Sequence, residues 1–501
     1  MNRSVFITLC VLLSILWLAF PSHAQNPQCP LPTWRFGVDM NPAFGKITDY
    51  DVAALHIGWY SDWTTSLTPL RPGGIEYAQL IWVYNGVPAL SLDTVGTLVD
   101  ANPGSLWMIG NEPECTYVPG GGNNTPQQYA DAYHQLYTFI KERDPTAQIA
   151  IGGVVQPTPL RLKWLDLVLE YYQTTYGQPM PVDVWNIHNM ILQELRGSWG
   201  CGIPKGLSEN QGRLYTVDDN DNFAIFRQHV IDFRTWMRDR GQRDKPLIIS
   251  EYGVLMRADW YPQFSPARVS AFVNATFDYL LTAHDDSLGY PADGNRLVQR
   301  WLWNSLNDAP YNFNGGLFAH DYPIYPGKLT PIGLNFKQYM DGLLAGSSCF
   351  TGAIQLEGRP APPQASYVLT ATVSLYPVGC PYPDIRSVQT DAMGRFRVCH
   401  VAPGIYDIVV KVYNTLANRL DGVAITTAEP LVDFGLLRSG DANNDNCVNI
   451  LDFSLLGAAY GTCAGDSRFD YRADFNGDGC ISLLDFSWLV TRFSEVGATY
   501  P

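Results

Sequence analysis

The chain has 501 residues, more than the roughly 250–300 that one hydrophobic core serves, so more than one domain is expected. Its 33 Lys and Arg against 48 Asp and Glu give a formal net charge of −15, which argues against nucleic acid and anionic membrane as partners because like charges repel. Neutral polymers and cations remain.

At the N-terminus, Met1-Asn2-Arg3 precedes an apolar stretch from Val5 to Phe20 and then Ser22-His23-Ala24, the order of an export signal with small residues at the cleavage site. The stretch is shorter than the ~20 residues of a membrane helix. Residues 1–24 are therefore expected to be a signal peptide, and the mature chain to begin near Gln25, secreted and without membrane insertion. Cys10 lacks the small residue that a lipoprotein signal needs before its Cys, so no lipid anchor is expected. The other nine of ten Cys show no CxxC and no Cys/His zinc spacing, which in an exported chain favours disulfides.

From Thr33 to about Ala345, short β-branched or aromatic runs alternate with amphipathic ones, the pattern of a parallel α/β sheet. The predicted strands are Trp34–Met40, Ala54–Tyr60, Tyr77–Tyr84, Ser105–Ile109, Ile149–Val155, Val182–His188, Leu247–Glu251 and Leu297–Trp303. Apolar residues three and four apart predict helices over Gln127–Arg143, Leu160–Thr175, Phe223–Arg240, Pro266–Ala283 and Pro331–Leu344. The second-to-third strand connection is too short for a full helix. Eight strands over a segment of this size fit a (β/α)₈ TIM barrel, so 25–345 is read as one domain.

Two of these strands end in a glutamate. Leu106-Trp-Met-Ile-Gly-Asn-Glu-Pro-Glu is an apolar run stopped by a proline, which cannot donate to a ladder, and this leaves Glu112 at the strand tip. Lys245-Pro-Leu-Ile-Ile-Ser-Glu-Tyr-Gly likewise carries Glu251 at the end of a buried aliphatic run. Barrel strand tips share one rim, where the active site lies. Glutamates on the fourth and seventh strands would face each other across it, and cleavage of a glycosidic bond with retention needs two carboxyl groups about 5–5.5 Å apart. Glu114 lies past the proline, in the loop.

With Asn-Glu-Pro on strand four and Ser-Glu-Tyr-Gly on strand seven, the segment resembles the clan of retaining (β/α)₈ glycosidases. That resemblance implies Glu112 as general acid and then base, and Glu251 as nucleophile. It further implies Asn111 on the sugar 2-hydroxyl, His188 beside the nucleophile, and Trp303 as the aromatic floor of the sugar subsite. Trp59, Tyr60, Trp82, Trp185 and Tyr252 are candidate cleft walls. Cys115 and Cys201, each following a strand of that rim, are candidates for a disulfide bracing the loops. The chemistry calls for no cofactor.

Near Gly346 the texture becomes Gly/Pro-punctuated alternation, as in Thr370-Ala-Thr-Val-Ser-Leu-Tyr and Tyr406-Asp-Ile-Val-Val-Lys-Val, which predicts a small antiparallel β-sandwich over 346–437. Thr390-Asp-Ala-Met-Gly-Arg-Phe followed by Ala402-Pro-Gly-Ile-Tyr resembles the prealbumin-like sandwiches appended to secreted enzymes.

Over 438–501, Asp441-Ala-Asn-Asn-Asp-Asn-Cys-Val-Asn-Ile-Leu-Asp-Phe-Ser recurs 33 residues later as Asp474-Phe-Asn-Gly-Asp-Gly-Cys-Ile-Ser-Leu-Leu-Asp-Phe-Ser. EF-type loops place oxygen ligands at positions 1, 3, 5, 9 and 12 and a carbonyl at 7. Loop one offers Asp441, Asn443, Asp445, the Cys447 carbonyl, Asn449 and Asp452. Loop two offers Asp474, Asn476, Asp478, the Cys480 carbonyl, Ser482 and Asp485. With Asp rather than Glu at position 12 and no helix before each loop, the segment resembles a dockerin, a small α-helical calcium-binding domain. The resemblance implies two Ca²⁺ and a cohesin-bearing scaffold or cell-surface protein as partner. Asn446 stands where loop two has Gly479, which predicts weaker binding at loop one, and Cys463 and Cys480 could pair if the two helices run antiparallel.

The sequence thus reads as a secreted, dockerin-tethered retaining glycoside hydrolase acting on a polysaccharide or oligosaccharide. A non-catalytic carbohydrate-binding or adhesion protein on a barrel scaffold is the alternative, and transglycosylation by the same pair is a third outcome. The choice of sugar is expected to reside in the loops Thr116–Thr125 and Asn189–Asp218.

Overall fold

The computed structural model describes residues 33–116, 120–257, 259–307, 314–319, 328–344, 348–378, 384–426 and 428–498. The expected export signal lies outside them. Among the described residues no helix is long and apolar enough to cross a membrane.

The first part of the chain contributes β1 (Phe36–Asp39), β2 (Trp59–Ser61), β3 (Glu76–Tyr77), β4 (Gln79–Ile81), the short hairpin β5 (Val83–Tyr84) and β6 (Val87–Pro88), then β7 (Leu106–Ile109), β8 (Gln148–Ile151), β9 (Trp185–His188), β10 (Leu247–Tyr252) and β11 (Arg300–Trp303). One sheet has the order β3-β2-β1-β11-β10-β9 and a second has β4-β7-β8. Every pairing within these two sheets is parallel. Ala78 alone separates β3 from β4. Parallel bridges Ala150–Val184 and Val154–Ile187 join the β8 run to the β9 run.

β1, β2, β7 and β9 are buried along their whole length, as expected of parallel strands covered on both faces. Their side chains sort by period two: Leu106 and Met108 join Trp59, Leu80, Ala150, Ile248 and Leu302 in a small cluster, whereas Trp107 and Ile109 join the main core. The helices α1 (Leu92–Ala101), α2 (Pro126–Arg143), α3 (Pro159–Tyr176), α4 (Phe223–Asp239), α5 (Pro266–Thr282) and α6 (Pro331–Leu344) lie between or after the strands. Proline in the first turn starts α2, α3 and α5, and Thr125, Asn222 and Ser265 cap α2, α4 and α5.

Two local readings change. Ala54–Tyr60 is not one strand: Val52–Leu55 is a 3₁₀ turn capped by the Asp51 side chain and reversed at His56, where φ is 52°. Helix α1 was not foreseen, although Ser91 caps it and Val95, Leu98 and Val99 form its buried face.

Beyond 347 come β12 (Ser348–Leu356), β13 (Thr370–Pro377), β14 (Asp384–Gln389), β15 (Arg395–Val401), β16 (Gly404–Val412), β17 (Asn414–Thr415), β18 (Asn418–Ile425), β19 (Leu431–Leu437) and β20 (Ser439–Asp441). The sheets β15-β12-β19 and β14-β13-β16-β18 share one apolar cluster that includes Phe350, Leu375, Phe396, Ile408 and Phe434. The expected all-antiparallel pairing fails at one place, since β19 runs parallel to β12. It arrives from β18, which belongs to the other sheet, so no hairpin forces it to run opposite to its neighbour. A disulfide, Cys349–Cys399, ties β12 to β15.

The C-terminal segment holds α7 (Ile450–Ala459) and α8 (Leu483–Arg492), each following one loop of the repeat, with a core that includes Val448, Leu456, Phe475, Ile481 and Leu489. Cys463 and Cys480 form a disulfide. The β17–β20 pair and the ion pair of Glu357 with Arg492 join this unit to the sheets before it.

Candidate functional site

With β3 and β4 counted as one run and the hairpin set aside, β7 is the fourth parallel run and β10 the seventh. Backbone bonds link their tips by way of the β8 and β9 runs between them. The Glu112 N–H donates to the Gly153 carbonyl, the His188 N–H to Val154, and the Asn189 N–H to Glu251. A register shift in β10 after Ile249 puts Glu251 level with His188 on β9. Glu112 sits at φ 40°, a left-handed conformation that non-glycine residues adopt at a cost; its carbonyl accepts the N–H groups of Cys115 and Gly122 and so holds it there. Gly153 makes room for the imidazole, because a Cβ there would lie 2.5 Å from His188 Cδ2.

The result is a carboxyl–imidazole–carboxyl cluster. His188 Nδ1 is 3.1 Å from Glu112 Oε1 and 3.7 Å from Glu251 Oε2, and the ligand atoms of the three residues all lie within 4.8 Å of one another. His188 is buried, while the two glutamate side chains keep 17% and 12% of their surface exposed. The Trp63 indole N–H donates to Glu251 Oε2 over 3.1 Å, and the Asn304 amide to Glu251 Oε1 over 2.8 Å. Burial pushes the Glu251 carboxyl above the ordinary glutamate range and Glu112 adds to this, against the pull of His188, Trp63 and Asn304. Burial lowers the His188 pKa, but Glu251 and Glu112 outweigh it and leave the imidazole above its usual value. This spacing could also hold a metal ion. Both oxygens of Glu251, however, already accept hydrogen bonds, which suits a fixed anion better than a free ligand.

The other predicted residues have partners of their own. Asn111 donates its amide to the Gly120 carbonyl and braces the loop after β7. Trp303 is not at the floor of the cleft: it is fully buried, gives its N–H to the Gly315 carbonyl and packs edge-on against Tyr252. The β11 register turns it outward from the strands into the main core. Trp59, Tyr60, Trp185 and Tyr252 are buried as well, whereas Trp82 is half-buried and donates to the Trp63 carbonyl. Cys115 and Cys201 share a small buried cluster, but a bridge between them is not among the disulfides of the described residues. Glu114 points inward to a fully buried ion pair with Arg161, which also binds Glu194.

Sequence reasoning missed Trp63, Asn304 and Asp39. Trp63 and Asn304 sit beyond strand ends, where no periodicity marks them. Asp39 closes β1, fully buried, with neither carboxylate oxygen partnered. Burial and then the charge of Glu251 push its pKa well up.

The two loops of the repeat carry nearly the same hydrogen bonds. In each, the position-3 amide donates to the position-5 carboxylate over 2.8 Å, as Asn443 to Asp445 and Asn476 to Asp478. Asp452 and Asp485 each accept the backbone N–H of Asn449 and Ser482, the residues that cap α7 and α8. Carboxylate and amide oxygens at these positions suit a hard cation such as Ca²⁺. Asp441 Oδ1 is buried without a hydrogen-bond partner, a donor atom that such an ion would satisfy. The Cys480 sulfur is held in its disulfide, which leaves the carbonyl as the group Cys480 can offer.

Residues 439–494 match the family model described as Dockerin type I domain, so the C-terminal segment carries a dockerin type I domain. No curated protein matches the chain. Among solved structures, an interface mutant of a type II cohesin–X-dockerin complex from Acetivibrio cellulolyticus is 25% identical, over 30% of this chain and 99% of the other, with a TM-score of 0.25. A GH128 (subgroup II) endo-β-1,3-glucanase from Sorangium cellulosum is 16% identical, over 61% and 98% of the two chains, with a TM-score of 0.41. An endo-β-1,4-mannanase from Thermotoga petrophila is 10% identical, over 81% and 99%, with a TM-score of 0.34.

Proposed function

We propose that this chain is a secreted glycoside hydrolase that cleaves O-glycosidic bonds of a polysaccharide with retention of configuration. The observation that carries the reading is the pair Glu112 and Glu251, whose carboxylate oxygens face each other across His188 within 4.8 Å. Oxygens this close support direct attack on the anomeric carbon, the mode that uses the shorter of the two carboxylate spacings found in glycosidases.

In the first step Glu251 attacks the anomeric carbon while Glu112 gives its proton to the departing glycosidic oxygen, leaving a glycosyl ester on Glu251. In the second, Glu112 takes a proton from water, the water oxygen bonds to the same carbon, and the ester breaks. His188, Trp63 and Asn304 hold the Glu251 carboxylate in position, and Asn111 and His188 are the proposed sugar contacts. A binding protein would gain nothing from two donors fixed on one carboxylate beside an imidazole bonded to a second, and this favours the enzyme over the carbohydrate-binding alternative.

The wider reading has four parts: a signal peptide at 1–24, a barrel domain at 25–345, a sandwich at 346–437 and a dockerin domain at 438–501. The parallel pairings and the two bridges between the β8 and β9 runs support a closed eight-stranded barrel. The shared apolar cluster supports the sandwich. The dockerin would take two Ca²⁺, through Asp441, Asn443, Asp445, Asn449 and Asp452 and through Asp474, Asn476, Asp478, Ser482 and Asp485 with the carbonyls of Cys447 and Cys480. It would tether the enzyme to a cohesin-bearing scaffold outside the cell.

The test is a panel of aryl glycosides and polysaccharides assayed with wild type, Glu112→Ala and Glu251→Ala. Both variants should lose at least about a thousandfold in kcat/KM. Azide should rescue Glu251→Ala with an inverted glycosyl azide and Glu112→Ala with a retained one, and chelation by EDTA should leave the catalytic step unchanged. Activity indifferent to both substitutions, or abolished by chelation and restored by a metal, defeats the assignment.

A further inference from the structure

The two loops of the repeat differ in one neighbour. Lys411, on β16 outside the dockerin segment, reaches into loop one: its ammonium lies 2.5 Å from Asp441 Oδ2 and also donates to the Thr415 carbonyl. Its side chain is 11% exposed and that of Asp441 is fully buried. Asp445 and Asp452, positions 5 and 12 of the same loop, also act electrostatically on this ammonium. One protein-borne cation is therefore bonded to one of the loop's acidic positions and attracted by two more. Asp441 Oδ2 also accepts the Asn446 N–H, as Asp474 Oδ2 in loop two accepts that of Gly479. The other oxygen of Asp474, however, accepts the N–H groups of Gly477 and Asp478. The Arg359 guanidinium lies beside Gly477 and acts electrostatically on Asp474, but its hydrogen bond goes to the Ser366 carbonyl, so among the described residues no ammonium or guanidinium is bonded to the position-1 carboxylate there.

We propose that Lys411 is a built-in competitor for calcium at loop one, so that loop two fills first and loop one fills only as the ammonium is driven off Asp441. The proposal rests on the reading of both loops as calcium sites and goes beyond it, because it assigns their inequality to a residue outside the repeat. The physical basis is direct. A divalent ion at loop one must share Asp441 with a monovalent one in a poorly solvated place, where like charges repel strongly. In the metal-free chain the same ammonium neutralises Asp441 and holds β16 against the loop. Asn446 is a separate handicap, since its φ of 69° favours glycine.

Calcium calorimetry on the full chain tests this, with Asp474→Ala plus Asp478→Ala leaving only loop one and Asp445→Ala plus Asp452→Ala leaving only loop two. Loop one should bind about tenfold or more weakly than loop two. Lys411→Met should tighten loop one by about tenfold without moving loop two, and Lys411→Arg should keep the gap. Asn446→Gly should tighten it by no more than about threefold. If Lys411→Met fails to fold, Lys411→Gln takes its place with the same expectation. The proposal is overturned if removing the lysine charge leaves loop one unchanged, or if Asn446→Gly alone closes the gap. No calcium heat at either loop in any chain overturns the calcium reading itself and the proposal with it.

Discussion

At the scale of single residues, the candidate site turns on how Glu251 is kept as an anion in a half-buried place. Its raised pKa means that the attacking form is present only above that value, so the acid limb of kcat/KM should lie above the ordinary glutamate range. The Trp63 N–H lowers that pKa. Trp63→Phe should therefore move the acid limb to higher pH and lower kcat/KM by about tenfold at mildly acidic pH, as read from a pH–rate profile. A limb that stays in place, or moves to lower pH, would show that Glu251 is not the group titrating in it. Asp39 stands apart: its unpartnered oxygens suit a neutral acid, which needs no counter-ion in that interior.

At the scale of elements, the tips of β7, β8, β9 and β10 are one hydrogen-bonded lattice, and small residues in it set the positions of the large ones. A Cβ on Gly153 would lie 2.5 Å from His188 Cδ2 and 3.1 Å from its backbone N. Gly153→Ala should therefore displace the imidazole and reduce kcat by about a hundredfold while KM moves little, since a small misplacement at the reacting centre is costly. Behind the same tips, His229 on α4 bonds Asn189 through Nδ1 and Tyr215 through Nε2. Burial first, then Arg213 and Arg161, bring its pKa down to about 3. The folded state thus refuses a proton that the unfolded chain accepts. The His229 contribution to stability is full above the unfolded pKa of about 6.5 and falls by up to about 1.4 kcal/mol per pH unit as pH drops toward 3. Urea unfolding at pH 7 and pH 5 should show that loss in wild type and a smaller one in His229→Gln.

For the whole molecule, the dockerin segment is packed against the sheets before it. Glu357, nearly buried, accepts the Ser439 N–H over 3.1 Å and the Arg492 Nε–H over 3.0 Å, and Arg438 pairs with Glu495. Glu357→Gln should weaken that contact by about 1–3 kcal/mol and speed limited proteolysis between β19 and β20, with turnover of a small aryl glycoside unchanged. Equal cleavage rates in wild type and variant would mean that the two units hold together by other contacts.

What the sequence determined alone was whatever is local along the chain. Alternation of strand and helix, a Pro stopping the run before Glu112, a caught glutamate at the end of Leu247–Tyr252 and oxygen ligands repeated at fixed spacing all depend on neighbours a few residues away. The dockerin segment was legible for that reason, and so were the positions of Glu112, His188 and Glu251 at strand ends. Tertiary structure decided what depends on which strands become neighbours. Trp63 reaches Glu251 across 188 residues, Asn304 across 53, and Lys411 reaches Asp441 across 30. The direction of β19 and the burial of Trp303 follow from the same cause: a side chain's periodicity says that it faces something, and only the closed set of contacts says what.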